Sequence, residues 1–125
     1  MAKLTALEMA VLKAIAAQLN SEDRDSLASQ IDGLTVKSRE NSGAGFFTHF
    51  ETIDKPKSKI LADTRDCHVS AEINGSEGSL GFILWLRDGY VDFLEGYTED
   101  LADTVGLELE TLSFVLIEWP RKLHS

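Results

Sequence analysis

Apolar and polar positions alternate most regularly between residues 80 and 97, LGFILWLRDGYVDFLEGY. Two apolar runs flank Asp88-Gly89, a dipeptide that accepts the positive φ angles of a two-residue hairpin turn. A straight ladder running back from that turn sets Arg87 opposite Tyr90, Leu86 opposite Val91, Trp85 opposite Asp92 and Leu84 opposite Phe93. It predicts a core face of Leu80, Phe82, Leu84, Leu86, Val91 and Phe93, ending in Glu95 and Tyr97. The opposite face carries Trp85, Arg87, Tyr90 and Asp92 beside Ile83 and Leu94. Arg87 and Asp92 are diagonal neighbours there, a cross-strand pair worth about 0.2–1 kcal/mol. That mixed face needs a cover.

A different period governs the start of the chain. Thr5-Ala6-Leu7-Glu8 has the form of a capping box, and Leu7, Val11, Leu12, Ile15 and Leu19 follow at helical spacing. Asn20 or Ser21 can end that helix and cap a second over about residues 22–31, with Glu22 and Asp23 in its first turn and Gly33 at its stop. From Leu34 the period becomes two. Residues 35–40 and 46–50 read as strands joined through Asn41-Ser42-Gly43-Ala44-Gly45, and 54–59 as a lysine-rich loop. Residues 67–73 form a further alternating strand, with Cys67, Val69, Ala71 and Ile73 on one side and His68, Ser70 and Glu72 on the other. A turn follows at 74–78, a polar, acidic stretch at 98–106, and a last strand over 111–119. The expected fold is α+β in one domain spanning 1–125: an N-terminal helical hairpin packed on a mostly antiparallel sheet of about five to six strands, since the connections are short.

Composition narrows the function classes. With 125 residues and 43% hydrophobic content, the chain suits one core that needs no staples. Cys67 is its single cysteine, which excludes an internal disulfide and fits a reducing cytoplasm. No apolar run reaches the roughly 18 residues of a membrane span. Glu8, Lys13 and Gln18 interrupt the apolar N-terminus at helical spacing, so it reads as an amphipathic helix of the mature protein rather than a signal peptide. Twenty-one acidic against 12 basic residues give a net charge of −9. Such a chain repels phosphate backbones, so nucleic acid is not an expected partner; a basic protein is.

Chemistry-bearing residues are few. Glu95, His49 and His68 are the candidates for acid–base work in a cleft beside the sheet, Glu95 because the straight register sets its carboxylate beside Phe82. His68 and Glu72 would lie about 13 Å apart along one strand, and no H-x-x-x-H or C-x-x-C spacing occurs, so neither a metal nor another cofactor is expected. Cys67 shares the parity of Val69 and Ile73 and reads as a small buried apolar residue. Gly43-Ala44-Gly45 lacks the lysine and helix of a phosphate loop.

Ser42-Gly43-Ala44-Gly45-Phe46-Phe47-Thr48-His49-Phe50, then Gly81-Phe82-Ile83-Leu84, then Arg87-Asp88-Gly89-Tyr90-Val91-Asp92-Phe93-Leu94-Glu95-Gly96-Tyr97-Thr98, resemble a family of small bacterial proteins that has no assigned catalytic residues. The match covers about the middle half of the chain. By size, charge and architecture the chain is also similar to immunity proteins of bacterial toxin systems, including contact-dependent growth inhibition, an analogy of form only. That analogy implies a cytoplasmic protein that neutralises a toxin, such as a nuclease, by direct binding. The expected contact surface is Glu99, Asp100, Asp103, Glu108 and Glu110, with Trp85 and Tyr90. The alternatives are a small enzyme using Glu95, His49 and His68, or a homodimer packed through the Trp85 and Tyr90 face.

Overall fold

The computed structural model describes residues 3–52, 58–74, 78–99, 103–108 and 110–117. Helix α1 (Ala6–Ala16) starts at the expected capping box: the Glu8 amide donates to Thr5 Oγ1 at 3.1 Å, and the Thr5 amide donates to Glu8 Oε1 at 2.8 Å. Its apolar stripe of Leu7, Val11, Leu12 and Ile15 is buried. Helix α2 (Ser21–Asp32) has Asn20 as N-cap, whose side-chain oxygen accepts the Asp23 amide at 2.9 Å. Six strands follow: β1 (Leu34–Asn41), β2 (Gly45–Thr52), β3 (Val69–Ile73), β4 (Ser79–Arg87), β5 (Tyr90–Thr98) and β6 (Phe114–Ile117). A single 3-10 turn, η1 (Thr64–Asp66), precedes β3.

All pairings are antiparallel and the sheet order is β1-β2-β5-β4-β3-β6. The α+β expectation holds, with both N-terminal helices packed on the sheet. The expected third strand starts two residues later than the sequence pattern suggested, at Val69, and the last strand is shorter than 111–119; residues 118 and 119 lie outside the described residues. Positions of one parity, among them Phe46, Thr48, Val69, Ala71, Leu80, Leu84 and Leu94, are buried beneath the helices. We call this face inner and the other outer.

The hairpin departs from a straight ladder. Asp88 and Gly89 both have positive φ, 54° and 86°, as a two-residue I′ turn requires. Arg87 pairs with Tyr90 and Leu86 with Val91, as the sequence implies. The register then shifts: Trp85 pairs with Phe93, Leu84 with Leu94 and Ile83 with Glu95. Asp92 is the extra residue of a β-bulge, so its expected pairing with Trp85 does not form. Beyond it every side chain of β5 changes sides. Leu94 is therefore a core residue, 2% exposed, while Phe93, Glu95 and Tyr97 lie on the outer face rather than in the core. Glu95 is not beside Phe82; Gly96 is, and a Cβ there would approach the Phe82 ring to 2.9 Å.

The physical reason lies in what the straight register would bury. It would put the Glu95 carboxylate among apolar side chains and expel Leu94, and an unpaired buried charge costs several kcal/mol. One bulge costs a local ladder irregularity instead. The inner surface then supplies the rest: Gln30 of α2, 1% exposed, accepts the Val91 amide at 2.8 Å and donates to the carbonyls of Ser58 and Gly89 at 2.9 and 3.0 Å. One buried amide thus ties α2, the hairpin tip and the segment before η1 together. Gln30→Ala leaves the buried Val91 amide without its acceptor and takes one donor from the Ser58 and Gly89 carbonyls, the latter keeping the Ile60 amide. We expect a loss of about 1–3 kcal/mol, read as a lower urea midpoint at unchanged slope.

Candidate functional site

Across the outer face the middle strands place an aromatic row. On β2, Phe47 and His49 face outward, and they pair in register with Glu95 and Phe93 of β5. The Phe93 ring stands 6.4 Å from Phe47, 5.4 Å from His49 and 5.7 Å from Trp85, nearly parallel to the indole at 12°. The Trp85 indole N–H donates to Glu95 Oε1 at 2.9 Å. Arg65 of η1 reaches over the other side of the indole, its guanidinium carbon 5.6 Å from the ring centroid, a cation–π geometry. Asp63 grips Arg65 by two side-chain contacts of 2.7 and 2.9 Å and also accepts its amide. The bonds from the Arg65 side chain, then from its backbone, hold the Asp63 carboxyl down at about 2.

Just past the end of β5, Glu99 anchors a second, polar patch. It accepts the hydroxyls of Ser79 at 2.8 Å and Ser70 at 3.0 Å. The Nε2 of His68 lies 3.1 Å from Ser70 Oγ and 3.8 Å from Glu99. Between the two carboxylates the Tyr97 ring packs over Gly81, where a Cβ would come within 2.4 Å of the ring. Burial, then the charges of Glu99 and Glu95, raises the Tyr97 hydroxyl above its usual value, so it stays a neutral donor and acceptor at pH 7.

Glu95, His49 and His68 share the outer face but do not meet. His49 is 3.3 Å from Glu40 and packs on Phe93, Glu95 holds the Trp85 indole, and His68 belongs with Ser70 and Glu99. Glu95 and Glu99 are themselves about 13 Å apart at strand rise. Ser70 donates to Glu99, and the His68 Nε2 lies 3.1 Å from the Ser70 Oγ, but that hydroxyl is fully buried and so shielded from a substrate. Cys67 is buried as its parity suggested, and burial, then Asp66 and Asp63, raises its thiol, which disfavours the thiolate. Among the described residues no group of three His, Cys, Asp or Glu side chains is arranged to hold a metal ion.

The acidic run of the sequence is spread over separate places. Glu99 lies on the outer face. Asp103 accepts the Val105 amide within its own turn at 3.0 Å, and Glu108 is exposed in the next loop. Glu110 pairs with Arg39 at 3.3 Å, toward α1. Asp100 lies outside the described residues. Tyr90 sits at the hairpin tip with the Lys59 ammonium 5.8 Å from its ring centroid, beside the end of the aromatic row. Sequence reasoning named Trp85 but missed Phe93, Phe47 and Arg65. No local period marks Phe93, because the shifted parity that puts Leu94 and Gly96 inside and Glu95 outside begins at the bulge.

What the outer face offers is an aromatic strip with charge at its margins. Among the described residues Glu40, Glu51, Glu72, Glu95 and Glu99 stand on or beside it, and its basic groups include the already paired Arg65, Arg87 and Lys59 at the tip, and two histidines. Flat aromatic area with polar handles is what protein interfaces use as anchors. Compared with family models, curated proteins and solved structures, the chain matches none.

Proposed function

We propose that the protein is a binding module whose outer sheet face docks a basic protein, and specifically an immunity protein that neutralises a bacterial toxin, such as a nuclease, in the cytoplasm. The observation that carries the reading is the Phe47–Phe93–Trp85 row bordered by Glu95 and Glu99, uncovered by either long helix. The net charge of −9 adds long-range attraction for a cationic partner and speeds encounter. The resemblance of residues 42–50 and 81–98 to a family of small bacterial proteins agrees with that setting. Arg65 on Trp85 illustrates the contact itself: an arginine of the partner would stack on this row and reach Glu95. Two copies of the face would oppose carboxylates to carboxylates, which argues for a foreign partner over a homodimer.

The test is co-expression with the product of the adjoining gene, followed by affinity measurement. Nanomolar binding that weakens as salt rises is expected. Glu95→Lys, which reverses one charge and removes the indole's acceptor, should weaken it on the order of 10- to 100-fold and abolish protection of cells making the toxin. Indifference of binding to Glu95→Lys and to Trp85→Ala, in variants that melt cooperatively, would remove this face from consideration. A dimer by light scattering, dispersed by Glu95→Lys, would instead assign the face to self-association.

A further inference from the structure

On the side away from the aromatic row, residues of α1, α2 and the start of β1 line an open groove of about 750 Å³. Its apolar lining is Leu4, Met9, Ala16, Ala28, Ile31 and Leu34. Ala16 lines it from α1 and Ala28 from α2. Its polar groups are at the ends. Lys13 and Arg24 stand together where α1 finishes, Lys3 at the opposite end, and Asp32 is the one acid in the lining. Among the described residues no carboxylate lies within ion-pair distance of Lys3, Lys13 or Arg24. Arg24 is held in position by the carbonyls of Ala16 and Leu19, at 3.3 and 3.1 Å.

Three cations without carboxylate partners around one apolar trough are conspicuous in a chain of net charge −9. The volume lies within the roughly 300–1,000 Å³ of small-molecule sites, which are apolar with a few polar groups at defined points. The length matters too. Alongside the 11 residues of α1 the trough runs about 16 Å, the reach of a linear aliphatic chain of about a dozen carbons. A round or wholly polar ligand would leave most of that lining wet.

We propose that this groove binds a free long-chain carboxylate, its head between Lys13 and Arg24 and its methylene chain along Ala16, Ala28, Ile31 and Leu34 toward Lys3. The site is independent of the outer face. Calorimetric titration of the full chain with dodecanoate, below its micellar concentration, tests it. One saturable site is expected, with affinity falling on the order of fourfold for each methylene removed. Lys13→Glu should weaken it at least tenfold, dodecanol should bind correspondingly less than the acid, and Ala28→Phe, which fills the trough, should abolish it. Trp85→Ala should bind as the parent chain does, which separates this site from the proposed docking face. Both groove positions are solvent-facing helix sites, so circular dichroism can establish that the variants stay folded. No saturable binding, binding unchanged in both folded groove variants, or binding to anionic phospholipid vesicles without binding to dodecanoate would each overturn the proposal.

Discussion

Replacing Glu8 by alanine is expected to lower the unfolding free energy by about 3–5 kcal/mol, the largest single-residue effect in this protein. Glu8 is 1% exposed, yet it is a carboxylate at the meeting of α1, β1 and β2. Arg39 donates to both its oxygens, at 2.8 and 2.9 Å, Thr48 Oγ1 donates at 2.7 Å, and the Thr5 amide closes the cap at 2.8 Å. Removing the carboxylate takes the closest partner from a guanidinium that is only 17% exposed, leaving it the exposed Glu110 carboxylate and the Lys3 carbonyl. It also opens the capping box and leaves a buried hydroxyl without its acceptor. Against a total stability of about 5–15 kcal/mol for a domain of this kind, that is enough to populate the unfolded state. Thermal and urea denaturation of Glu8→Ala beside Glu8→Gln will measure it. The Thr5 amide and the Thr48 hydroxyl donate to different oxygens of Glu8, so the one oxygen of the glutamine amide keeps either bond but not both, and it should recover part of the loss.

The same cluster sets an acid dependence. Burial alone would raise the Glu8 carboxyl, but the bonds from Arg39, Thr48 and Thr5 outweigh it, and its folded value lies below the ordinary 4.5. A carboxyl lowered on folding contributes stability that is fully present above its unfolded value and is lost as pH falls through the folded one. Stability should therefore decline below about pH 4.5, and the decline should be shallower in Glu8→Gln. An equal slope in both proteins would locate the acid sensitivity in other carboxylates.

The second large effect separates the bulged hairpin from a straight one. Leu94→Ala should cost about 2–5 kcal/mol, the range for truncating a buried leucine, because Leu94 is 2% exposed and pairs with fully buried Leu84. Phe93→Ala should cost clearly less, since Phe93 is only partly buried on the outer face and loses stacking rather than core volume. A straight ladder demands the reverse order. Paired urea titrations of the two variants give the ranking directly, and Phe93→Ala as the more damaging substitution would contradict the bulge.

This pair of residues also shows how far the sequence could be read. Asp88-Gly89 and the two alternating runs located both strands, the turn and the first two cross-strand pairs. The third pair was beyond local pattern. Val91 and Phe93 alternate as cleanly as Val91 and Leu94 do once a residue is skipped, and period-two counting has no means of choosing between them. The choice was made by partners distant in sequence: Gln30, 61 positions away, takes the Val91 amide, and Phe82 needs the space above Gly96. Arg65 on Trp85 was illegible for the same reason, because η1 meets β4 through tertiary contacts such as the buried bond from the Thr64 hydroxyl to the Leu84 carbonyl, 2.7 Å. The acidic run was legible as charge but not as a surface, since Glu110 turns back to Arg39 while Glu99 joins the outer face.

Taken alone, the amino-acid order determined what depends on near neighbours: the capping box at Thr5 and Glu8, the helical stripe of α1, the two-residue turn, the burial of Cys67 and the acidity of the whole. Those follow from backbone geometry and side-chain period, which act over a few residues. The tertiary structure decided which face each β5 side chain occupies, that Glu8 and Arg39 form a buried pair, and that Phe47, Phe93 and Trp85 form one strip. These outcomes depend on desolvation and packing summed across segments far apart in the chain. The cost of burying Glu95 outweighed the regularity of the ladder, and that balance exists only once the helices lie on the sheet.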